Sequence, residues 1–197
     1  MIISRIIPSL LNTREIDDVS WEAGRASVAI IFRPDNHICM IRRAQKESDY
    51  WSGHMAFPGG REEVIDPNLQ RTALRETEEE IGVTLTPTQM IGRLSDLRYP
   101  ALAVSAFVYL VEDELSFTPD PTEVSSIHWL PFEAFLDPKL RTTKKHTYKE
   151  RVLDMPIVHI GEADVWGISL YFIDDLIKHC KLSESEIHSG QDLRSIP

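Results

Sequence analysis

This sequence predicts an α/β sandwich, and three observations point to it. Short apolar or β-branched runs separated by turn residues recur from residue 27 onward. An amphipathic helix with a defined stop lies among them, and a second apolar helix closes the pattern. Strands surrounding an amphipathic helix bury both faces of a sheet only in a layered α/β arrangement.

The elements are assigned in chain order. Residues 1–23 read as an N-terminal arm with a short helix around Ile6 to Leu11. Ser27 to Phe32 and Ile38 to Arg42 flank Pro34, Asp35 and Asn36, the pattern of a hairpin. Further strands are expected at Ile91 to Leu97, Ala103 to Val111 and Ile127 to Trp129, then a short helix at Phe132 to Leu136 and a strand at Pro156 to His159. Ile168 to His179 reads as a terminal amphipathic helix with Leu170, Ile173, Leu176 and Ile177 inward. Residues 183–197 have the composition of a polar tail, and without repeats or a linker one domain is expected over 24–182.

Composition narrows the function. With 42% hydrophobic residues, 197 residues can bury a full core. A net charge of −10 argues against nucleic acid as a partner, because that affinity rests on Lys and Arg neutralising phosphates. If the chain acts on an anionic phosphate compound, cations must stand between. Cys39 and Cys180 are the only cysteines, too few for a disulfide framework and without metal-ligand spacing, as in a reducing compartment. The apolar start is interrupted by Arg5 and Pro8, and no stretch is long enough to cross a bilayer, so no membrane association and a cytoplasmic location are expected.

The first amphipathic helix carries the chemistry. Asp66 as N-cap, Pro67 at the first position and Gly82 as a left-handed stop would run it to about Ile81. Glu76, Glu78, Glu79 and Glu80 crowd its last turn, the negative pole of the helix dipole, where like charges one turn apart also repel. A positive partner is therefore expected. Glu76, Glu79, Glu80 and Val83 share one stripe, while Leu69, Ala73, Thr77 and Ile81 share another that can face a core. Converging carboxylates are hard oxygen donors suited to Mg²⁺ or Mn²⁺. Taken alone, the same run also reads as a solvated acidic face. Arg75, one turn before Glu79, can orient a carboxylate or relieve the charge.

Residues 57–83 read FPGGREEVIDPNLQRTALRETEEEIGV. The stretch is similar to the signature of the Nudix hydrolases, whose second half runs Arg-Glu, an apolar position, any residue, Glu-Glu, any residue, Gly and an apolar position. Arg75, Glu76, Glu79, Glu80, Gly82 and Val83 match in register. The first half departs: Arg61 stands where the signature has Gly, and Asp66 lies nearest to the place of its isolated Glu. Phe57 to Gly60 and Thr72 to Glu76 resemble the coenzyme A diphosphatase branch, which carries a Phe-Pro-Gly-Gly turn and a longer loop. Arg42, Arg43 and Ala44 resemble the start of that branch's upstream element, but Asp49 and Trp51 stand where it has Arg and His. Glu123, Val124 and Trp129 look like the family strand that brings a further acid to the metals, and Trp166-Gly167 leads into the last helix as in the branch.

The resemblance implies a Nudix-type α/β/α sandwich with a mixed sheet, Mg²⁺ or Mn²⁺ held by Glu76, Glu79 and Glu80, and a nucleoside diphosphate derivative as substrate. Coenzyme A or acyl coenzyme A is the leading substrate. ADP-ribose, a dinucleotide or a nucleoside triphosphate is the alternative, and a non-catalytic nucleotide-binding domain is the third reading. The general base is one of the glutamates or Glu123. Arg42 or Arg43 would hold diphosphate oxygens. Gly59 and Gly60 either let the backbone approach metal or phosphate or form a plain tight turn. The run Arg141, Lys144, Lys145, His146, Lys149 and Arg151 reads as a solvated loop or as a site for an extra phosphate. His54, just before the turn, reads either as a substrate contact or as a structural or solvent-facing residue. Family members often dimerise, so a homodimer is compatible with the resemblance, although no interface is legible.

Overall fold

The computed structural model describes residues 24–179 apart from 48, 50, 100, 113, 149 and 150. The expected N-terminal arm and its helix, Cys180 and the polar tail lie outside the described residues.

Strands β1 (Arg25–Phe32) and β2 (His37–Arg43) form the expected hairpin, with Phe32 opposite Ile38. Its turn uses Asn36 at φ 63°, a left-handed conformation that asparagine adopts more readily than most residues. β2 pairs with β3 (Met55–Ala56) and β8 (Val124–Pro131). β1 pairs with β4 (Gly59–Arg61), so the Gly-Gly segment is a strand rather than a tight turn. β1 also runs parallel to β7 (Leu102–Leu110) over eight residue pairs, while its other pairings are antiparallel. The sheet is therefore mixed.

The strand expected over Ile91 to Leu97 is divided into β5 (Met90–Arg93) and β6 (Leu97–Tyr99), which pair with different parts of β7. Between them the buried Arg93 donates to Asp96 at 2.6 Å, and Ser105 on β7 donates to the same oxygen at 2.7 Å. A buried guanidinium must be paired, and this ion pair occupies the gap between the two strands. A second correction concerns residues 141–160. They are neither a solvated loop nor one short strand at 156–159. β9 (Arg141–Tyr148), β10 (Arg151–Ile160) and β11 (Ala163–Trp166) form a separate antiparallel sheet in the order β11-β10-β9. Phe132–Leu136 is the expected short helix, of 3₁₀ type.

Alternation along the strands gives the main sheet two apolar faces. Ala29, Ile31, Cys39, Ile41 and Phe107 pack with Leu69, Ala73, Leu74 and Ile81 of helix α1 (Leu69–Ile81). Ile30, Phe32, Ile38, Met40 and Val108 pack with Leu170, Phe172, Ile173 and Leu176 of helix α2 (Gly167–His179) and with Val158 and Val165 of the small sheet. The molecule is thus an α/β/α sandwich. Burying each such side chain contributes about 1.5–3 kcal/mol, so both helices are held chiefly by these faces. Burial also pushes the Cys39 thiol up to about 12, as befits an inert core cysteine. Among the described residues, no helix is long and apolar enough to cross a membrane.

Helix α1 starts later than expected. Asn68 is its N-cap and accepts the Arg71 N–H at 3.0 Å, because Asp66 is engaged elsewhere. Gly82 ends it in the left-handed region at φ 70°, as the sequence predicts.

Candidate active site

The placement of α1 against β4 assembles the site. Gly59 sits at φ 150° opposite Val28, and a Cβ there would lie 2.3 Å from the Ser27 carbonyl oxygen. Only glycine fits such an approach. Its N–H donates to Glu80 Oε2 at 2.9 Å. A Cβ on Gly60 would fall 2.4 Å from the carboxylate carbon of Glu76. The two glycines therefore seat two carboxylates of the acidic helix directly on the backbone of β4.

Glu80 is 2% exposed, and among the described hydrogen bonds that N–H is its one donor. Burial, reinforced by the nearby charges of Glu76 and Glu123, pushes its carboxyl up to about 8, against the pull of the Gly59 N–H and Arg43. Burial also raises the Glu76 carboxyl, although Arg75 opposes the rise. Arg75 is the positive partner that the crowded last turn requires. It binds Asp66 at 2.9 and 3.0 Å, Glu76 at 3.0 Å and Glu79 at 2.8 Å. Asp66 in turn is held well below the usual carboxylate range, first by the Arg75 hydrogen bond.

Glu76 and Glu80 face a cavity of about 500 Å³ that Glu123, Gly59, Gly60 and Arg43 also border. Glu123 reaches it from the turn before β8, where its carbonyl accepts the Ala44 N–H at 2.8 Å. Glu79 does not border the cavity, and its side chain is 58% exposed beside Arg75. The two arginines at the end of β2 diverge. Arg42 donates to the carbonyls of Gly53 and Glu162, bracing two loops, whereas Arg43 lines the cavity in an ion pair with Asp49 at 2.7 Å. Asp49 thus neutralises Arg43 in this arrangement.

Among the described residues, no three acidic, histidine or cysteine side chains converge closely enough to enclose a metal ion. The donor chemistry nevertheless fits a hard divalent cation: Glu76 and Glu80 offer carboxylate oxygens on a glycine-backed cavity wall, with burial opposing their ionisation. Glu79 is held apart from them by Arg75.

Sequence reasoning missed several lining groups. Arg61 borders the cavity from the end of β4, where the sequence showed only a departure from the signature. Trp51 and Trp166 line it as well, together with His54, which the sequence did offer as a substrate contact. The proximity of Trp166 to β9 was hidden because β9, polar at successive positions, gave no strand signal.

The class this architecture defines is an α/β/α sandwich whose acidic helix is seated on a glycine strand. The NUDIX domain family model matches residues 23–150, and the chain belongs to that family. The chain is 33% identical over 115 residues to Schizosaccharomyces pombe protein C14C4.10c, covering 54% of this chain and 35% of that one. It is 31% identical over 105 residues to a Nudix hydrolase designated NudL from Yersinia enterocolitica, covering 53% of each chain. These matches span about half of the Yersinia protein and about a third of the yeast one. A MutT/nudix family protein from Enterococcus faecalis shares the fold at a TM-score of 0.54 and 15% identity, over 84% of this chain and 64% of that one.

Proposed function

We propose that this chain hydrolyses a diphosphate linkage in a nucleoside diphosphate derivative with Mg²⁺ or Mn²⁺, and that coenzyme A or an acyl coenzyme A is the substrate. The products are adenosine 3′,5′-bisphosphate and a phosphopantetheine compound. The observation that carries this reading is the seating of Glu76 and Glu80 on Gly59 and Gly60, facing a cavity that Arg43 and Arg61 also line.

A cation held by Glu76 and Glu80, with Glu79 recruited from Arg75, would neutralise phosphate charge and lower the pKa of an attacking water. The remaining work falls to the chain itself. Arg61, and Arg43 once the phosphate displaces Asp49 from it, would draw the diphosphate into an otherwise acidic cavity. Glu123, which borders the cavity, would take the water's proton as its oxygen attacks phosphorus. The P–O bond to the bridging oxygen then breaks, and the leaving phosphate departs with the bond electrons. Glu80, seated by the Gly59 N–H, fixes where the acidic helix meets the substrate.

Product analysis with Mg²⁺ or Mn²⁺ against coenzyme A, acetyl coenzyme A, ADP-ribose, NADH and nucleoside triphosphates tests the proposal. Release of adenosine 3′,5′-bisphosphate at the highest kcat/KM, lost by about 100-fold or more in Glu80→Gln, is the expected result. A different preferred nucleotide would retain the chemistry and move the substrate, an outcome that Asp49 on Arg43 and the indole of Trp51 at the cavity mouth favour as the second reading. No turnover of any compound would refute the hydrolase assignment.

A further inference from the structure

The cavity mouth carries an aromatic cluster that the hydrolytic chemistry does not use. Trp51 lies in the loop between β2 and β3, and its ring centroid is 5.9 Å from Trp166 at the end of β11 and 5.7 Å from His54. His54 and His146 each stand 4.8 Å from Trp166. The four rings come from three separate parts of the chain and meet only because the small sheet docks beside the main one. Trp51, His54 and Trp166 line the same cavity as Glu76 and Glu80.

We propose that Trp51, backed by Trp166 and His54, is the stacking platform for the base of the nucleotide substrate, so that the small sheet and the β2–β3 loop set which nucleotide the site accepts. This deepens the proposed function and rests on it for the identity of the ligand as a nucleotide. Trp51 remains 44% exposed although its indole is among the largest apolar surfaces of the chain. A lone exposed tryptophan would mean little. Here two aromatic neighbours hold the ring at the border of the cavity, and a base gains most from such a preorganised π surface. The cavity volume of about 500 Å³ also lies in the range of small-molecule sites.

Charge along the rim agrees with an anionic aromatic ligand. Lys144 and His146 occupy alternate positions of β9 and so project to one face, the face that brings the His146 ring to Trp166. Burial, followed by the charges of Lys144 and His146, holds His54 below its ordinary value, while Asp49 opposes and Arg43 assists that shift. His54 therefore stays neutral near pH 7 and adds ring surface rather than charge. Lys144 stands close enough for its charge to act on His54, and Arg43 borders the cavity in its ion pair with Asp49, so a nucleotide phosphate reaching Arg43 competes with that carboxylate.

The test is binding rather than turnover. The full chain in MgCl₂ is titrated with AMP and with ribose 5-phosphate, which share the phosphate and differ in the base, using calorimetry for affinity. Wild type is expected to bind AMP about tenfold or more tightly than ribose 5-phosphate. Trp51→Ala should lower AMP affinity to the ribose 5-phosphate level, and Trp51→Phe should restore most of it. Trp51→Leu, which keeps apolar bulk without a π face, should behave like Trp51→Ala and guards against a folding effect. Equal binding of the two ligands by wild type, or an AMP affinity within about twofold of wild type in Trp51→Ala, overturns the platform. The two proposals fail separately. Trp51-dependent AMP binding without any turnover upholds the platform and sinks the hydrolase reading, whereas turnover with a KM unmoved in Trp51→Ala does the reverse.

Discussion

Replacing Glu80 by glutamine removes a carboxylate that the fold buries beside two others. Its folded pKa stands at about 8, against 4.5 for an ordinary glutamate, chiefly because burial opposes the charge. Between those two values the folded chain holds a proton that the unfolded chain has released, so unfolding free energy falls as pH rises through the window. Each pH unit within it costs about 1.4 kcal/mol, and the full effect above pH 8 has a ceiling of about 5 kcal/mol. Sharing of protons with the half-buried Glu76 lowers that ceiling to a few kcal/mol. In Glu80→Gln the charge never forms, and the amide oxygen can still accept the Gly59 N–H.

Urea unfolding in EDTA from pH 5 to pH 9 measures the difference. The two proteins should be nearly equal at pH 5, and the variant should be more stable by about 2–4 kcal/mol at pH 8.5. For a domain of this size that is a gap of about 10 °C in melting temperature. Stability curves that stay parallel across the whole range would refute the claim that Glu80 is a buried, proton-holding carboxylate.

Other perturbations probe the neighbouring parts of the site. Mg²⁺ or Mn²⁺ at about 100 times its Kd should stabilise wild type by about 2.7 kcal/mol, and this gain in melting temperature should shrink in Glu79→Gln and Glu80→Gln. Gly60→Ala should keep the fold by displacing the flexible Glu76 carboxylate yet cut turnover, whereas Gly59→Ala meets the backbone of β1 and should cost about 2 kcal/mol or more in a denaturant titration. Arg75→Met leaves Asp66, with a side chain only 4% exposed, without its partner and should destabilise by about 3 kcal/mol, with Asp66→Asn in the same chain recovering part of the loss in a double-mutant cycle.

The hairpin, the acidic helix with its glycine stop and the inward residues of the terminal helix were legible because each rests on local chemistry: turn residues, a left-handed C-cap, and apolar spacing at a helical period. What escaped depends on distant partners. β9 reads Arg-Thr-Thr-Lys-Lys-His-Thr-Tyr, with polar groups at successive positions, and becomes a strand only through its ladder with β10. Ile91 to Leu97 looked continuous because the Arg93–Asp96–Ser105 interaction includes a side chain from another strand. At the site, spacing placed Glu76, Glu79 and Glu80 on one stripe, but burial separated them: Glu80 lies under β4 while Glu79 stays exposed beside Arg75. The roles of Gly59 and Gly60 were open until the Cβ positions they lack were seen to coincide with the Ser27 backbone and the Glu76 carboxylate.

The departure of the signature's first half acquires a physical meaning through Asp66. Read locally, an aspartate before proline is an N-cap, yet Asn68 performs that task and leaves Asp66 to bind Arg75. Arg75 also holds Glu76 and Glu79, so the position nearest to the missing glutamate anchors the cation that organises the acidic helix. A loop that departs from the signature would be harmful if it had to present a metal ligand. It is tolerable when it has only to deliver one carboxylate to an arginine on the next helix. Glu76 and Glu80 are thus seated on β4 independently of the loop that carries Asp66, while elsewhere around the cavity Asp49 binds Arg43 and Trp51 meets Trp166, the contacts on which the proposed substrate preference rests.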